Sequence, residues 1–420
     1  METSAQAKRF GALRSRLIVV LSALGPGFIT ANADNDVGSI LTYSQAGAAF
    51  GYSLLWTLVP ITLALIVIQE MAARLGVRTG KGFARLIREQ TGLRSAWLVV
   101  LCLSLGNFGN LVAEFAGLAS GMEMLGLSRY LAVPLGAALL MWVILRGGRN
   151  RVERILFLLS MAYFAYPVAA VLAHPDWSAA VHDTFIPRIA KTSDYLFMIL
   201  ALTGSTVSPW MQSYLQSAVV ESGIPEQRYE LTKWDTILGC VTSSVVGFFV
   251  ITVCAATLHR AGGHGELTSV AQAAAGLRPV AGRAAFVLFA AGLVNAALLS
   301  AALLPVSVAF DLCEVLGRAS GLTKRLAEAP LFYILCICFL AGGAALVLIP
   351  GLPLLKVILL SQIANGILLP VQLCFMLVLV NSPELMGDLR NSRFQNAAAY
   401  SSAIVLVGLT GAWFWTTLRP

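Results

Sequence analysis

The sequence predicts an all-helical integral membrane protein, built as two inverted five-helix repeats plus an eleventh helix, with the first and sixth helices broken at mid-membrane. Three observations carry this. Hydrophobic residues make up 58% of the 420-residue chain, charged residues 12%, and the mean hydropathy is +0.79, a balance foreign to water-soluble folds. Apolar windows of spanning length, bounded by charged or Gly/Pro-rich connections, recur along the chain. Two of them are interrupted by polar residues and helix breakers about 170 residues apart, and each opens a run of five segments.

The first segment covers 17–48, with its break near 34–39 at Asp34-Asn35-Asp36-Val37-Gly38-Ser39. Lipid offers no water to a carboxylate, so an acidic pair inside a spanning segment is retained where it faces a cavity or an ion. Gly38, Asn35 and Gly25-Pro26-Gly27 weaken the helix on both sides of the acids. A helix broken at membrane depth is expected to expose backbone carbonyls able to ligate cations. Lys8, Arg9, Arg14 and Arg16 ahead of Leu17–Leu24, with Ala31-Asn32-Ala33 beyond, also fit a signal peptide. The polar break just past that point favours a retained, discontinuous first helix.

Further segments are expected at 53–76, 95–125, 130–146 and 152–173, followed by a polar loop over 174–192. The sixth segment, 193–221, is interrupted at Thr206-Val207-Ser208-Pro209, a proline in mid-helix where it removes a backbone hydrogen bond. Segments at 235–258, 284–316, 330–349, 354–380 and 396–416 complete eleven. The organisation is then a cytoplasmic basic N-terminus (1–16), a first repeat (17–173), an extracellular loop (174–192), a second repeat (193–380), a cytoplasmic loop (381–395) and the eleventh helix (396–416).

Loop charge agrees with this count. With the N-terminus inside, 21 of the 29 Lys and Arg residues fall on cytoplasmic connections and 8 on the other side, the bias that orients membrane proteins. The C-terminus then lies outside, extracellular or periplasmic. The net charge of +8 is spread over many loops rather than gathered in one patch, so it reports orientation and not a nucleic-acid partner. The seven cysteines all fall in or beside apolar segments and read as small hydrophobes. No nucleophile with a base and no His cluster lies in the spanning segments, so an enzyme is not expected.

Because each repeat has an odd number of spans, the second copy is inverted and the two breaks meet near the midplane. A cation site between them is the physical expectation. The residues here resemble the Nramp family of divalent-metal transporters, which share the LeuT-type fold. Gly25-Pro26-Gly27-Phe28 and Gln45-Ala46-Gly47-Ala48 flank the first break as in that family, and Asp36 stands where its Asp-Pro-Gly-Asn motif begins. Ala72-Ala73-Arg74-Leu75-Gly76-Val77-Arg78-Thr79-Gly80-Lys81, Thr206-Val207-Ser208-Pro209, Tyr214-Leu215-Gln216-Ser217-Ala218, Leu360-Ser361-Gln362 and Asn381-Ser382-Pro383-Glu384-Leu385-Met386-Gly387 continue the likeness.

The departures fall on the residues that the resemblance places at the ion. Asp-Pro-Gly-Asn has become Asp36-Val37-Gly38-Ser39, the family's coordinating methionine matches Ser208, and its carbonyl donor matches Ser205. The implied metal ligands are Asp36, Ser39, Ser205, Ser208 and Gln362, with Ser39 and Ser208 binding directly, through water, or serving helix packing instead, and Asp34 as a further ligand, a charge drawing cations inward, or a cap on the second half-helix. All are oxygen donors, which suit magnesium first and manganese second, a pattern similar to the divergent magnesium-transporting branch of the family. The ion is cargo; no cofactor is implied.

The family's two sixth-helix histidines match Trp210 and Gln216, and the four histidines, 174, 182, 259 and 264, fall in predicted outside loops. Uncoupled transport is therefore expected, driven by the ion gradient and membrane potential. Glu114, near a family acid implicated in proton movement, is either a proton-path residue or a buried hydrogen-bond donor. Gln362 and Asn365 share one face of the tenth segment, where interhelical hydrogen bonding is the alternative to ion contact. Glu70 and Arg74 have the spacing of a structural ion pair, and Asn295 reads as packing. Other readings left open are a proton-coupled manganese or iron importer, an organic-solute transporter on the same fold, and a metal sensor that does not translocate.

Overall fold

The computed structural model describes residues 25–146, 165–190, 192–260 and 283–418, with isolated positions between 152 and 163 and at 270 and 273. The basic N-terminus, the first segment before residue 25, the connection 147–151, most of segment five before 165, and His264 lie outside the described residues. Among the described residues every regular element is helical.

The first segment is two half-helices. α1 (Pro26–Ala33) opens on a proline, whose missing N–H is one that a helix N-terminus leaves unpaired in any case. It ends in a turn where the Asn35 N–H donates to the Asn32 carbonyl at 3.1 Å. α2 (Val37–Phe50) restarts the helix with Asp36 as N-cap, its carboxylate accepting from the Ser39 N–H at 2.6 Å.

α3 (Leu58–Thr79), α4 (Phe83–Thr91), α5 (Leu93–Met124), α6 (Arg129–Arg146) and α7 (Ala165–Leu172) follow. α4 corrects the expectation of a plain charged connection over 74–94. Phe83, Ala84, Leu86 and Ile87 form a buried stripe while Arg85 and Glu89 face outward, an amphipathic pattern that the charge density conceals in a hydropathy window. α8 (Trp177–Phe185) likewise occupies the expected loop 174–192; Asp176 caps it, accepting from the Ala179 N–H at 3.0 Å.

The sixth segment also breaks. α9 (Ser193–Thr206) stops at Val207, and α10 (Pro209–Glu221) begins with Ser208 as the extended residue before it. Pro209 thus stands at the first position of α10 rather than inside a continuous helix, where its lack of an N–H removes no bond. α11 (Tyr229–Cys254) starts ahead of the expected 235, since a spanning helix runs on past its apolar window. α12 (Arg283–Leu316), α13 (Pro330–Val347), α14 (Leu354–Asn381) and α15 (Arg393–Leu418) complete the chain.

Among the described residues, 7 unbroken helices are long and apolar enough to cross a membrane. α6 turns Leu131, Leu135, Leu139 and Trp142 outward, the surface of a helix that faces lipid. Inside the bundle α12 packs along α5, α14 packs along α5 and α9, and α11 supports α1, α2 and α3. α9 touches α2 and α10 touches α1, which sets the two breaks side by side. Close approach at the centre depends on two glycines: a Cβ on Gly38 would overlap the Gln362 amide, and one on Gly204 would overlap the Gln362 carbonyl and the Gly366 backbone.

Candidate functional site

Three carboxylates converge at the first break. Asp34 ends α1 and Asp36 begins α2, and from α5 Glu114 reaches the same turn, its Oε2 accepting from the Val37 N–H at 3.4 Å. All three are buried, at 1%, 1% and 0% exposure, so their charges meet no bulk water. Both Asp34 oxygens, Asp36 Oδ2 and Glu114 Oε1 have no hydrogen-bond partner among the described residues. Among the described residues no lysine, arginine or histidine forms an ion pair with any of them. Burying that many acceptors without donors is strongly unfavourable unless something positive completes them. The structure also decides one open point: the cap of α2 is Asp36, so Asp34 is not held by that duty.

The freed backbone carbonyls, by contrast, are already engaged. Ser300 of α12 donates to the Ala33 carbonyl, the Tyr163 hydroxyl to the Asn35 carbonyl at 2.7 Å, and Ser39 Oγ to the Ser205 carbonyl at 2.7 Å. Exposed carbonyl ligands were the expectation at both breaks; hydroxyls cover them here, because an unpaired carbonyl in a membrane core is costly. Ser39 and Ser205 are thus brought together but bonded to each other. Tyr43 and Thr206 add a second tie between α2 and α9, hydroxyl to hydroxyl at 2.8 Å.

At the second break Ser208 Oγ donates to the Gly204 carbonyl at 3.2 Å. The Ser208 hydroxyl and the Trp210 indole both lie beside the Asp34 carboxylate, and the Nε1–H of the wholly buried Trp210 makes no hydrogen bond among the described residues. Gln362 lies over Gly38, with its Nε2 donating to Ser361 Oγ at 3.1 Å. Asn365 forms a reciprocal amide pair with Asn110, at 3.0 and 3.1 Å, joining α14 to α5 one turn from Glu114. Gln216 does not belong to this group. It sits further along α10 with its Nε2 on the Lys81 carbonyl at 2.8 Å.

No three of the described Asp, Glu, His and Cys side chains close into a metal cage. The acids instead flank the breaks, and hydroxyls, the Gln362 amide or water must complete any coordination. The donors at hand are oxygen atoms, a hard set.

A fourth buried carboxylate, not singled out from the sequence, anchors the first half-helix. Asp235 of α11 accepts from the N–H groups of Gly25 (2.7 Å), Gly27 (2.8 Å) and Phe28 (3.2 Å). It covers the exposed donors at the N-terminus of α1, where the helix dipole also favours an anion. The signal was present, since Asp235 is an acid at the edge of an apolar segment, the same sign that drew attention to Asp36 and Glu114.

Comparison with known proteins agrees with this arrangement. The divalent metal cation transporter MntH of Klebsiella pneumoniae subsp. pneumoniae is 27% identical over 404 residues, 94% of either chain. A crystal structure of the Eremococcus coleocola manganese transporter, in complex with an aromatic bis-isothiourea substituted compound, superposes with a TM-score of 0.76 at 20% identity, over 94% of this chain and 86% of that one. Mhp1, a nucleobase-cation-symport-1 family transporter with the LeuT-type fold, superposes with a TM-score of 0.57 at 14% identity, over 94% of this chain and 91% of its own. The fold is therefore LeuT-type, two inverted five-helix repeats and an eleventh helix. Residues 27–416 match the family model described as Nramp, natural resistance-associated macrophage protein-like, and the chain belongs to that family.

Proposed function

We propose that this protein carries divalent metal ions across the membrane by alternating access, with magnesium preferred, manganese second, and no coupled proton. The observation that carries the reading is the meeting of Asp34, Asp36 and Glu114 at one broken helix with four carboxylate oxygens unpartnered and no basic side chain paired to them. A dication is the simplest group that neutralises such a site. Relatives described as divalent metal and manganese transporters support the cargo class. The preference for magnesium rests on the donor set: Ser208 stands where the family uses a thioether, which leaves only hard oxygen donors.

Asp34 and Asp36 act as direct ligands in this reading. Ser39 and Ser208 contribute hydroxyls, the Ser205 carbonyl joins when Ser39 turns away, and Gln362 closes the outer side. Trp210 and Asn365 hold these groups in place. The N-terminus faces the cytoplasm, as loop charge requires.

A second reading has one observation in its favour. Glu114 faces Asp36 directly through the Val37 turn, a placement suited to passing a proton to the metal ligand, as in a proton-coupled manganese importer. Proteoliposomes holding the purified protein separate the two. Uptake of magnesium, manganese and calcium is followed with internal pH recorded and Asp36→Ala as control. Magnesium entry without acidification, abolished by the substitution, is expected; manganese entry with acidification establishes the coupled mechanism, and no metal flux at all overturns both.

A further inference from the structure

α12 carries a polar stripe that connects the helix breaks to one end of the bundle. Ser300 meets the first break at the Ala33 carbonyl and Ser307 Oγ donates to the Trp210 carbonyl, just past the second break, at 3.4 Å. Asp311 and Glu314 continue the same helix face, about 21 Å beyond Ser300 by the last residue at 1.5 Å per residue. Opposite them, α10 presents Ser213, Gln216 and Ser217. Ser213 Oγ donates to Asp311 Oδ1, and Ser217 Oγ to Glu314 Oε1 at 3.0 Å.

Among the described residues, no basic side chain forms an ion pair with these acids. Asp311 is 1% exposed and its Oδ2 has no partner. Glu314 is met by the Arg85 backbone N–H at 3.3 Å, not by a basic side chain. The nearby cations are committed elsewhere: Lys81 and Arg85 both pair with Glu89, at 2.6 and 2.9 Å, and their hydrogen bonds hold the Glu89 carboxyl below its ordinary range. Gln216 supplies an independent sign. It is fully buried, its Nε2 is fixed on the Lys81 carbonyl, and its Oε1 has no partner. Glu314 packs against the adjoining Gly82, where a Cβ would overlap the carboxylate, and Gln216 lies on the same α10 face as Ser213 and Ser217, which hold the two acids.

We infer that Asp311, with the Gln216 amide oxygen and Glu314, forms a second cation site between α10 and α12, where the transported divalent ion pauses on its way from the helix breaks to the cytoplasm. This rests on the transport reading above. The stripe offers an oxygen donor at each step, so an ion leaving Asp34 and Asp36 never crosses a purely apolar stretch. Parting α10 from α12 opens the site to water and lets the hydrated ion go.

The probe is Mn²⁺ alone, with bound ion counted on purified full-length protein by electron paramagnetic resonance of the free ion. The Asp36→Asn variant, which lacks the central site, is expected to retain one weaker bound ion per chain. Adding Asp311→Asn should remove it; adding Ser213→Ala or Glu314→Gln instead should weaken it about tenfold, the worth of a hydrogen bond or charge contact to a buried ion. In proteoliposomes Asp311→Asn is expected to lower the maximal flux about tenfold while the external concentration for half-maximal uptake stays unchanged. No ion on Asp36→Asn, or an ion that survives all three second substitutions, overturns the inner site. If Asp311→Asn does not fold, judged by its elution on size exclusion, Ser213→Ala and Glu314→Gln decide the matter alone. Wild-type protein that moves no metal overturns the transport reading, whereas wild-type transport with no second ion overturns only this inference.

Discussion

Ser39 Oγ and the Ser205 carbonyl, 166 residues apart in the chain, meet at 2.7 Å and close the break of one helix onto the break of the other. The bond satisfies a carbonyl that lipid cannot, and it holds the half-helices in register. In the proposed transport reading, an ion that claims the Ser205 carbonyl has to displace this hydroxyl first, so Ser39 would compete with the cargo before joining it.

On that reading Ser39→Ala removes the competitor and a ligand together. The ligand loss dominates, because the hydroxyl contributes in the loaded state whereas the freed carbonyl is merely uncovered in the other. A neutral hydrogen bond is worth about 1 kcal/mol, so half-maximal uptake should need about fivefold more ion. Metal uptake against concentration gives the answer; a lower requirement in Ser39→Ala would show that competition outweighs ligation.

Asp36 has one observed duty, capping α2, and one proposed duty, binding the ion, and substitution can separate them. Its Oδ1 caps α2 on the Ser39 N–H while Oδ2 is free. Asp36→Asn keeps a side-chain acceptor for the cap but discards the charge, whereas Asp36→Ala loses both. Both variants should abolish metal uptake, and only Asp36→Ala should lose about 1 kcal/mol of stability as well. Thermal unfolding beside uptake measurements distinguishes them, and an Asp36→Asn protein that still transports would remove Asp36 from the ion.

Much of this was readable in the residues, and the boundary of legibility is physical. Apolar windows located the spanning helices because lipid imposes their length, and Asp36 stood out because an acid in such a window demands a reason. α4 and α8 did not stand out, since their apolar residues alternate with charges and vanish in a hydropathy average. Whether Ser39 meets an ion or a carbonyl, and which carbonyls Ser300 and Tyr163 cover, depends on contacts between distant segments that no local pattern encodes. Gln216 is a further case: its match to a family histidine is local, and its reach to the Lys81 carbonyl is a contact that no motif encodes. Asp235 and Asp311 were passed over although the rule applied to Asp36 covers both.

Asp235 anchors α1 to α11 through three backbone N–H groups. Asp235→Ala leaves those donors buried and unmet, which should destabilise the protein by about 3 kcal/mol or more, given 1–3 kcal/mol for each such group. Asp235→Asn retains one acceptor oxygen and should fall between. Thermal unfolding of both variants in one detergent checks the order, and equal stabilities would mean that α1 is held by its packing instead.

Glu70 and Arg74 on α3 form the expected ion pair, Nε to Oε1 at 3.0 Å, but the pair is the centre of a larger tie. Tyr229 at the start of α11 donates to Glu70 Oε1, and Gln395 of α15 to Oε2 at 2.9 Å. Arg74 donates to the Leu389 carbonyl at 2.7 Å and to Asn391 Oδ1 at 2.6 Å. With Glu70 and Arg74 at 4% and 3% exposure, removing one charge strands the other in a dry setting. Arg74→Ala should therefore cost about 3–5 kcal/mol, and Arg74→Lys should recover little, because one ammonium cannot reproduce the guanidinium fork. The double variant Glu70→Gln/Arg74→Ala should be more stable than Arg74→Ala alone, since it carries no unpaired buried charge. Unfolding measurements on the three proteins test this; a double variant that is less stable than the single one would locate the energy in Glu70's bonds to Tyr229 and Gln395 rather than in the ion pair.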